Sequence, residues 1–366
     1  MKFTISRETL LKPLQMVNGV VEKRQTMPIL SNILLNATPE SLTLTGTDLE
    51  VEMVTRTQLE NAEPGEATLP ARKFADICRA LPEEAMIEIS VEGDKATLRS
   101  AKSRFTLATL PVVEFPNVDE INNPYSFQIS QKYMKGLIDK TSFAMAQQDV
   151  RYYLNGMLLE LADNTLRAVA TDGHRLSMSE VGTEHNPEEM IQVIVPRMAV
   201  MELSRMLEDS DEMLEVQIGS NHIKFSLNDV TFTSKLIDGK FPDYDRVFPK
   251  NSDKQVVTNR MLLRQALTRT SILSNEKYRG IRLQLSSGVL HTMAHNPEQE
   301  EAEEELEVNY QGGELEIGFN ATYLLDALSA VDTEEVKVWL SDPNSSCLIH
   351  GLDDEQSKYV IMPMRL

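Results

Sequence analysis

The chain repeats itself three times, and that restricts its fold more than any motif it carries. "TGTDLEVEM" (45–53) aligns with "VATDGHRLSM" (169–178) and with "TMAHNPEQEE" (292–301), so that Asp48, Asp172 and Asn296 are spaced by 124 residues, twice. "FTISRETLLKPL" (3–14) matches "FQISQKYMKGLI" (127–138) and "VVTNRMLLRQAL" (256–267). "LPARKFADICRAL" (69–81) matches "VPRMAVMELSRML" (195–207) and "FNATYLLDALSAV" (319–331). "EFPNV" (114–118) matches "KFPDY" (240–244). The third copy stops at "YVIMPMRL", level with "FTLATLP" (105–111) and "FTSKLID" (232–238). A period this long exceeds solenoid units and predicts three similar domains in series, 1–123, 124–250 and 251–366, with boundaries near Asn122–Pro124 and Lys250–Ser252.

Each copy reads strand, helix, several strands alternating at period two, helix, more strands. Its first helix is predicted to start at Ser6, Ser130 or Thr258, each a good N-cap. Two helices beside antiparallel sheets, three times over, predict an α+β architecture.

Composition narrows the function. No apolar run is long enough to cross a bilayer, and "MKFTISRETLLKPLQ" lacks the apolar core of a signal peptide. Cys78 and Cys347 stand in no metal or redox spacing. The expectation is a reduced, cytoplasmic protein with no membrane association, metal site or cofactor. Its net charge of −20 argues against wrapping nucleic acid, yet the charge is sorted. The six predicted helical segments carry +1, +2, +2, 0, +3 and −1, which is +7 together and leaves −27 elsewhere. Positive helices inside a negative shell suit helices that face phosphates; Lys and Arg also simply favour exposed helix faces. A second sorting sets seven glutamates within 298–307, in copy three, against Arg99, Lys102 and Arg104 in copy one. Such a run is a solvated loop or one side of a head-to-tail contact between chains, which closes into a ring if the rotation permits.

Enzyme signals are thin. There is no phosphate-binding glycine loop, no G-x-S-x-G and no H-E-x-x-H. His291 and His295 in "HTMAH" belong to a strand rather than a helix, and Asp172 beside His174 in "ATDGHRL" reads as a strand-end turn before an acid–base pair. No catalytic residue is assigned. The tail "KYVIMPMRL" raises its own question, because six of its nine residues are apolar where chain ends are usually polar. It suits both a final core strand and a greasy surface that a partner covers.

"LTGTDLE", "QDVRYYLNGM", "ATDGHRL", "FTSKLIDGKFPDY", "ILSNEKYRG", "HNPEQEEAEEE" and "VIMPMRL" together resemble the bacterial sliding clamps, the beta subunit of DNA polymerase III, along nearly the whole chain. The resemblance implies a homodimer of three-domain chains, a head-to-tail ring threaded by duplex DNA without regard to base sequence. Helices would line the hole. The protein would be no enzyme; it would tether polymerase catalytic subunits and other clamp-binding-motif proteins after a clamp loader places it. An enzyme working in the "TDGHR" groove and an acidic peptide scaffold that never meets DNA are the alternatives.

Residue by residue, the resemblance places a partner groove at Arg151, Leu154, Thr171, Gly173, His174, Arg175 and Leu176, with Tyr152 and Tyr153 in the same stretch. Pro242, Arg246 and Val247 would add one wall, and Asn320, Tyr323 and Ser346 another. The tail would complete it with Val360, Met362, Pro363, Met364, Arg365 and Leu366. Tyr278 and Ile361 would tune partner preference. DNA contacts implied are Arg24 and Gln148, with Tyr152 and Tyr153 at the mouth of the hole and Arg72 and Arg197 on the helices. The joint between chains would set Lys73, Phe105 and Leu107 against Ile272 and Leu273, framed by Glu300 and Glu303.

Overall fold

The computed structural model describes residues 1–21, 27–116, 121–122, 124–250 and 252–365. They form two compact units, Met1–Lys132 with Met201–Leu236, and Tyr133–Val200 with Ile237–Leu366. The fold is α+β, with antiparallel sheets throughout and two helices per repeat. Residues 123 and 251, at the expected domain boundaries, lie outside the described set, as do Arg24 and Leu366.

In the first unit, β1 (Lys2–Ser6), β6 (Met86–Glu92), β7 (Lys95–Ser100) and β8 (Ser103–Ala108) make one sheet in that order. A second sheet begins with β5 (Gly65–Pro70), β2 (Asn32–Ala37), β3 (Ser41–Thr47) and β4 (Val51–Gln58). It continues without a break into copy two, through β16 (Val230–Lys235), β15 (His222–Leu227), β14 (Met213–Ile218) and β9 (Tyr125–Ser130). Phe232 stands across from Met53 at the seam.

The second unit repeats this plan. Its eight-stranded sheet runs β13 (Ile191–Pro196), β10 (Gly156–Ala162), β11 (Thr165–Thr171), β12 (Arg175–Gly182), then copy three's β24 (Asp354–Ile361), β23 (Cys347–Gly351), β22 (Glu335–Leu340) and β17 (Lys254–Asn259). Tyr359 stands across from Ser177 at this seam. A four-stranded sheet orders β20 (Glu301–Glu307), β19 (Val289–His295), β18 (Gly280–Ser286) and β21 (Leu315–Asn320). Both eight-stranded sheets therefore join two repeats edge to edge, while β8 of copy one and β20 of copy three end their sheets.

The helices are α1 (Arg7–Val20), α2 (Ala71–Ala80), α3 (Gln131–Thr141), α4 (Arg197–Met206), α5 (Arg260–Thr270) and α6 (Ala321–Ala330). Ser6 caps α1, its hydroxyl accepting from Thr9 N at 3.1 Å. In copy three the cap is Asn259, one residue beyond the expected Thr258, because its carboxamide oxygen reaches both Met261 N and Leu262 N. The repeat geometry rests on the aligned acidic turn. Asp48 accepts from Glu50 N and Val51 N, and Asp172 from His174 N and Arg175 N, closing the same three-residue link between strands. Asn296 accepts from Glu300 N across a link two residues longer.

The glutamate run is not a loop. Glu301–Glu307 is an edge strand whose alternate positions are exposed, and Glu304 on its other face pairs with Arg269 of α5. "HTMAH" lies in β19, as its residue types predict.

Candidate functional site

In the second unit the turn after β11 is drawn tight by its own side chains. Thr171 Oγ1 donates to Arg175 O at 2.6 Å, and Gly173 N donates to Thr171 Oγ1 at 3.1 Å. Gly173 has φ +86°, and a Cβ there would stand 3.0 Å from the Arg151 guanidinium, so glycine alone fits without strain. Arg151 is clamped in turn. Its Nε and Nη2 donate to the two oxygens of Asp149 at 3.0 and 2.9 Å, which holds that carboxyl down at about 2.

Arg175 frames the site more than it faces outward. Its guanidinium donates to Asp172, to Asp326 of α6 and to the Phe143 carbonyl, and it lies 4.4 Å from the centroid of Tyr323. The ring of His174 stacks on Tyr323 at 6.4 Å. Burial raises the Tyr323 hydroxyl above its ordinary value. Asn320 caps α6, accepting from Thr322 N and Tyr323 N, and so sets the angle of that tyrosine. The Asp172 carboxylate accepts from the backbone N–H groups of His174 and Arg175 and from the Arg175 side chain, so the pair is a turn, not an acid–base dyad.

The tail threads between these elements. β24 ends at Ile361, and Met362 N then donates to His174 O at 2.9 Å and Met364 N to Gly318 O at 2.8 Å. Met362 is 48% exposed, Met364 and Pro363 half-buried, and Arg365 exposed. Past Met364 opens a cleft of about 440 Å³ that Tyr278, Arg282, Met293 and Arg365 help to line. On the other side, Pro242, Arg246 and Val247 are exposed around a 3-10 turn, Tyr244–Arg246.

The structure thus brings Arg151, Thr171, Gly173, His174, Arg175, Asn320, Tyr323 and Met362 into one linked cluster. Leu154, Leu176 and Val360 are buried and floor the site rather than wall it. Ile361 is likewise core, 1% exposed, whereas Tyr278 is exposed. Ser346 is half-buried just before β23. Tyr152–Leu154 is a 3-10 turn. Sequence inspection missed Asp149, Phe143 and Asp326, the groups that immobilise Arg151 and Arg175. Phe143 and Asp326 carry no local signal, since they meet Arg175 from 32 and 151 residues away, whereas Asp149 stands only two residues before Arg151.

Of the residues that the resemblance sets against DNA, Gln148 is exposed in left-handed backbone (φ +56°) and Tyr152 is 59% exposed, its ring centroid 6.1 Å from that of Tyr153. Arg72 is exposed on α2, whereas Arg197 is half-buried and donates to Met145 O at 3.4 Å. Of the residues that the resemblance sets at a joint between chains, Lys73 is exposed on α2, Phe105 half-buried and Leu107 buried in β8. Ile272 is 70% exposed beside half-buried Leu273. Glu303 is exposed on β20, and Glu300 closes its own turn by accepting from Asn296 Nδ2 at 2.6 Å. Among the described residues no helix is long and apolar enough to cross a membrane, and no His, Cys, Asp and Glu cluster has metal-holding geometry.

Comparison with known proteins agrees at every level. Residues 1–119, 128–243 and 245–365 match the N-terminal, central and C-terminal domain models of the DNA polymerase III beta subunit. The chain is 58% identical over 367 residues to a beta sliding clamp of Pseudomonas aeruginosa and 53% identical to that of Escherichia coli K12, all of each chain covered in both cases. The crystal structure of a P. aeruginosa sliding clamp bound to griselimycin superposes with TM-score 0.97 at 58% identity, and one from Bartonella birtlesii, also bound to griselimycin, with 0.97 at 37%; both cover all of each chain. The chain belongs to the DNA polymerase III beta subunit family, the bacterial sliding clamps.

Proposed function

We propose that two copies of this chain close head to tail into a ring around duplex DNA and hold polymerases there through the groove at the tail. One observation carries the ring. β4 and β12 are equivalent edges of copies one and two, and each is covered by the equivalent strand of the next copy, β16 or β24. β20 is the same edge of copy three, and β8 is the strand of copy one equivalent to β16 and β24. Both are left at the ends of their sheets, and uncovered edges invite pairing with another chain. A second copy supplies the missing partner by the rule the chain already uses twice. The ring has six repeats, three from each chain, with domains 1–123, 124–250 and 251–366.

The two internal seams also set the register. Met53 pairs with Gly46 and Ser177 with Ala170 as Ala302 pairs with Ala294, so Phe232 across from Met53, and Tyr359 across from Ser177, both translate to Phe105 across from Ala302 between chains. By the same rule Thr106 stands across from Glu301, with Ile272 and Leu273 covered beside them and Lys73 and Glu300 at the rim. Arg104 meets Glu303, and Arg99 and Lys102 lie near the glutamates, an arrangement that favours correct docking.

A ring that slides needs phosphate contacts and no base readout. Gln148, Tyr152, Tyr153, Arg72 and Arg197 supply polar and cationic contacts; Arg24 lies outside the described residues. Met362, Met364, Val247 and Tyr323 give the groove a deformable apolar lining suited to several peptides, from polymerase catalytic subunits to the clamp loader. The chain works without catalysis, in the cytoplasm.

The experiment is a cysteine cross-link. Thr106→Cys with Glu301→Cys places two thiols on one face at cross-strand distance, within disulfide reach. Oxidation yields a covalent two-chain ring, while Thr106→Cys with Ala302→Cys, shifted by one residue to the opposite face, does not. Equal cross-linking of both, or of neither, contradicts the register.

A further inference from the structure

The middle copy holds a polar row unlike that of its two neighbours. Gln192, Glu160, Arg167 and Glu180 stand directly across from one another on β13, β10, β11 and β12. Gln192 Nε2 donates to Glu160 Oε2 at 2.6 Å, Arg167 Nη1 to Glu160 Oε1 at 2.8 Å, and Arg167 Nε to Glu180 Oε2 at 2.8 Å. Tyr244 reaches the centre of the row from outside the sheet. Its hydroxyl donates to Glu160 Oε1 at 2.7 Å and accepts from Arg167 Nη1 at 2.8 Å. Glu160 and Tyr244 are both buried, so each bond is made away from competing water.

The other copies serve as internal controls. The matching row in copy one is Glu66, Asn36, Thr43 and Arg56, and in copy three Glu316, Gln284, His291 and Glu305. Neither brings a tyrosine hydroxyl to its centre among the described residues, yet both build the same strand order. The clamp on Tyr244 is therefore not what the repeat needs to fold.

What sets the middle copy apart is the segment that Tyr244 belongs to. It opens the 3-10 turn between Pro242 and Val247, beside a cleft of about 460 Å³. Its ring packs with Phe241 in one apolar cluster that includes Leu176 and Val360, the floor of the groove.

We infer that Tyr244 is a positioning residue for peptide recognition: anchored by Glu160 and Arg167, it fixes the Pro242–Val247 wall in the place where a partner peptide's apolar side chains meet it. The inference rests on the groove being the partner site. A wall without its anchor samples other positions, and the peptide must order it on binding, which lowers affinity.

The test titrates a fluorescent polymerase-tail peptide into the full-length protein. Tyr244→Phe removes the hydroxyl and keeps the ring. It is expected to weaken binding about tenfold, the scale of one hydrogen bond to charged groups, and to quicken hydrogen exchange at amides 242–248 in the free protein. Glu160→Gln, which keeps shape and weakens the acceptor, moves both readouts in the same direction. Gln284→Ala, at the equivalent place in copy three, leaves both at wild-type values. Arg175→Ala separates the two ideas. If it binds the peptide as wild type does, the groove reading falls and takes this inference with it. If it loses the peptide while Tyr244→Phe and Glu160→Gln match wild type in affinity and exchange, the groove stands and the role of Tyr244 is overturned.

Discussion

Ile272 offers the cleanest perturbation of the ring, because its side chain is 70% exposed in the isolated chain and supports little within it. Burying the exposed part of such a side chain at a joint contributes about 1–2 kcal/mol. Half-buried Leu273 adds less, so Ile272→Ala with Leu273→Ala removes about 2–3 kcal/mol per joint. A ring of two chains has two joints, which doubles the loss to about 4–6 kcal/mol, or about a thousandfold to ten-thousandfold in dimer affinity. The protomer should lose only the small share owed to Leu273, since Ser271–Leu273 is a short surface turn after α5. Sedimentation velocity at micromolar protein, with thermal melting alongside, reads both quantities. Folded monomers with nearly unchanged melting are expected. A dimer that persists at wild-type affinity refutes the joint, and a melting temperature that collapses shows instead that these side chains belong to the core.

Three further outcomes follow from the same geometry. Deleting Pro363–Leu366 removes Met364 but leaves β24 whole to Ile361; partner peptide binding should fall about a hundredfold, with melting and dimer intact, by titration against full-length protein. Glu300→Lys with Glu303→Lys should weaken the dimer, and rising salt should loosen the wild-type joint; a dimer indifferent to both leaves those carboxylates as solvated surface. The Arg151 hydrogen bonds depress Asp149 from 3.8 to about 2, so its contribution to stability is complete above the unfolded value and lost only as pH falls through about 2. Carboxyl NMR should therefore give a midpoint near that value, with Arg151 held unchanged from pH 8 to pH 4, and a midpoint near the ordinary one would dissolve the latch.

Much of this molecule was legible in its sequence because its repeats are held by short-range chemistry. The turns at Asp48 and Asp172 need a carboxylate two or three residues before the amides they bind, and that spacing survives in the text of the first two copies. Burial repeats with it: Phe115 and Phe241, 126 residues apart, are each 6% exposed. The fusion of neighbouring repeats into eight-stranded sheets was not legible, since the seam between β4 and β16 joins residues such as Met53 and Phe232 that alternate like any other strand. The site divides the same way. Exposed apolar residues of the tail announced a binding surface, whereas Asp326 and Phe143 reach Arg175 only through tertiary folding. Glu160 and Arg167 read as ordinary surface charges on alternating strands, and only packing reveals that Tyr244 covers them. Thr258 and Asn259 are both competent caps, and side-chain reach, not residue type, decides for Asn259.

The central claim is topological, and topology is measured most directly on a circle. With the clamp loader and ATP, the protein is loaded onto a nicked circular plasmid, purified away from free protein, and divided. One half is cut once with a restriction enzyme. A closed ring that contacts only backbone stays on the intact circle for long times and runs off the cut ends within minutes, at salt that removes ordinary DNA-binding proteins. Retention that is equal on circular and linear DNA, or absent from both, contradicts a protein that holds DNA by encircling it.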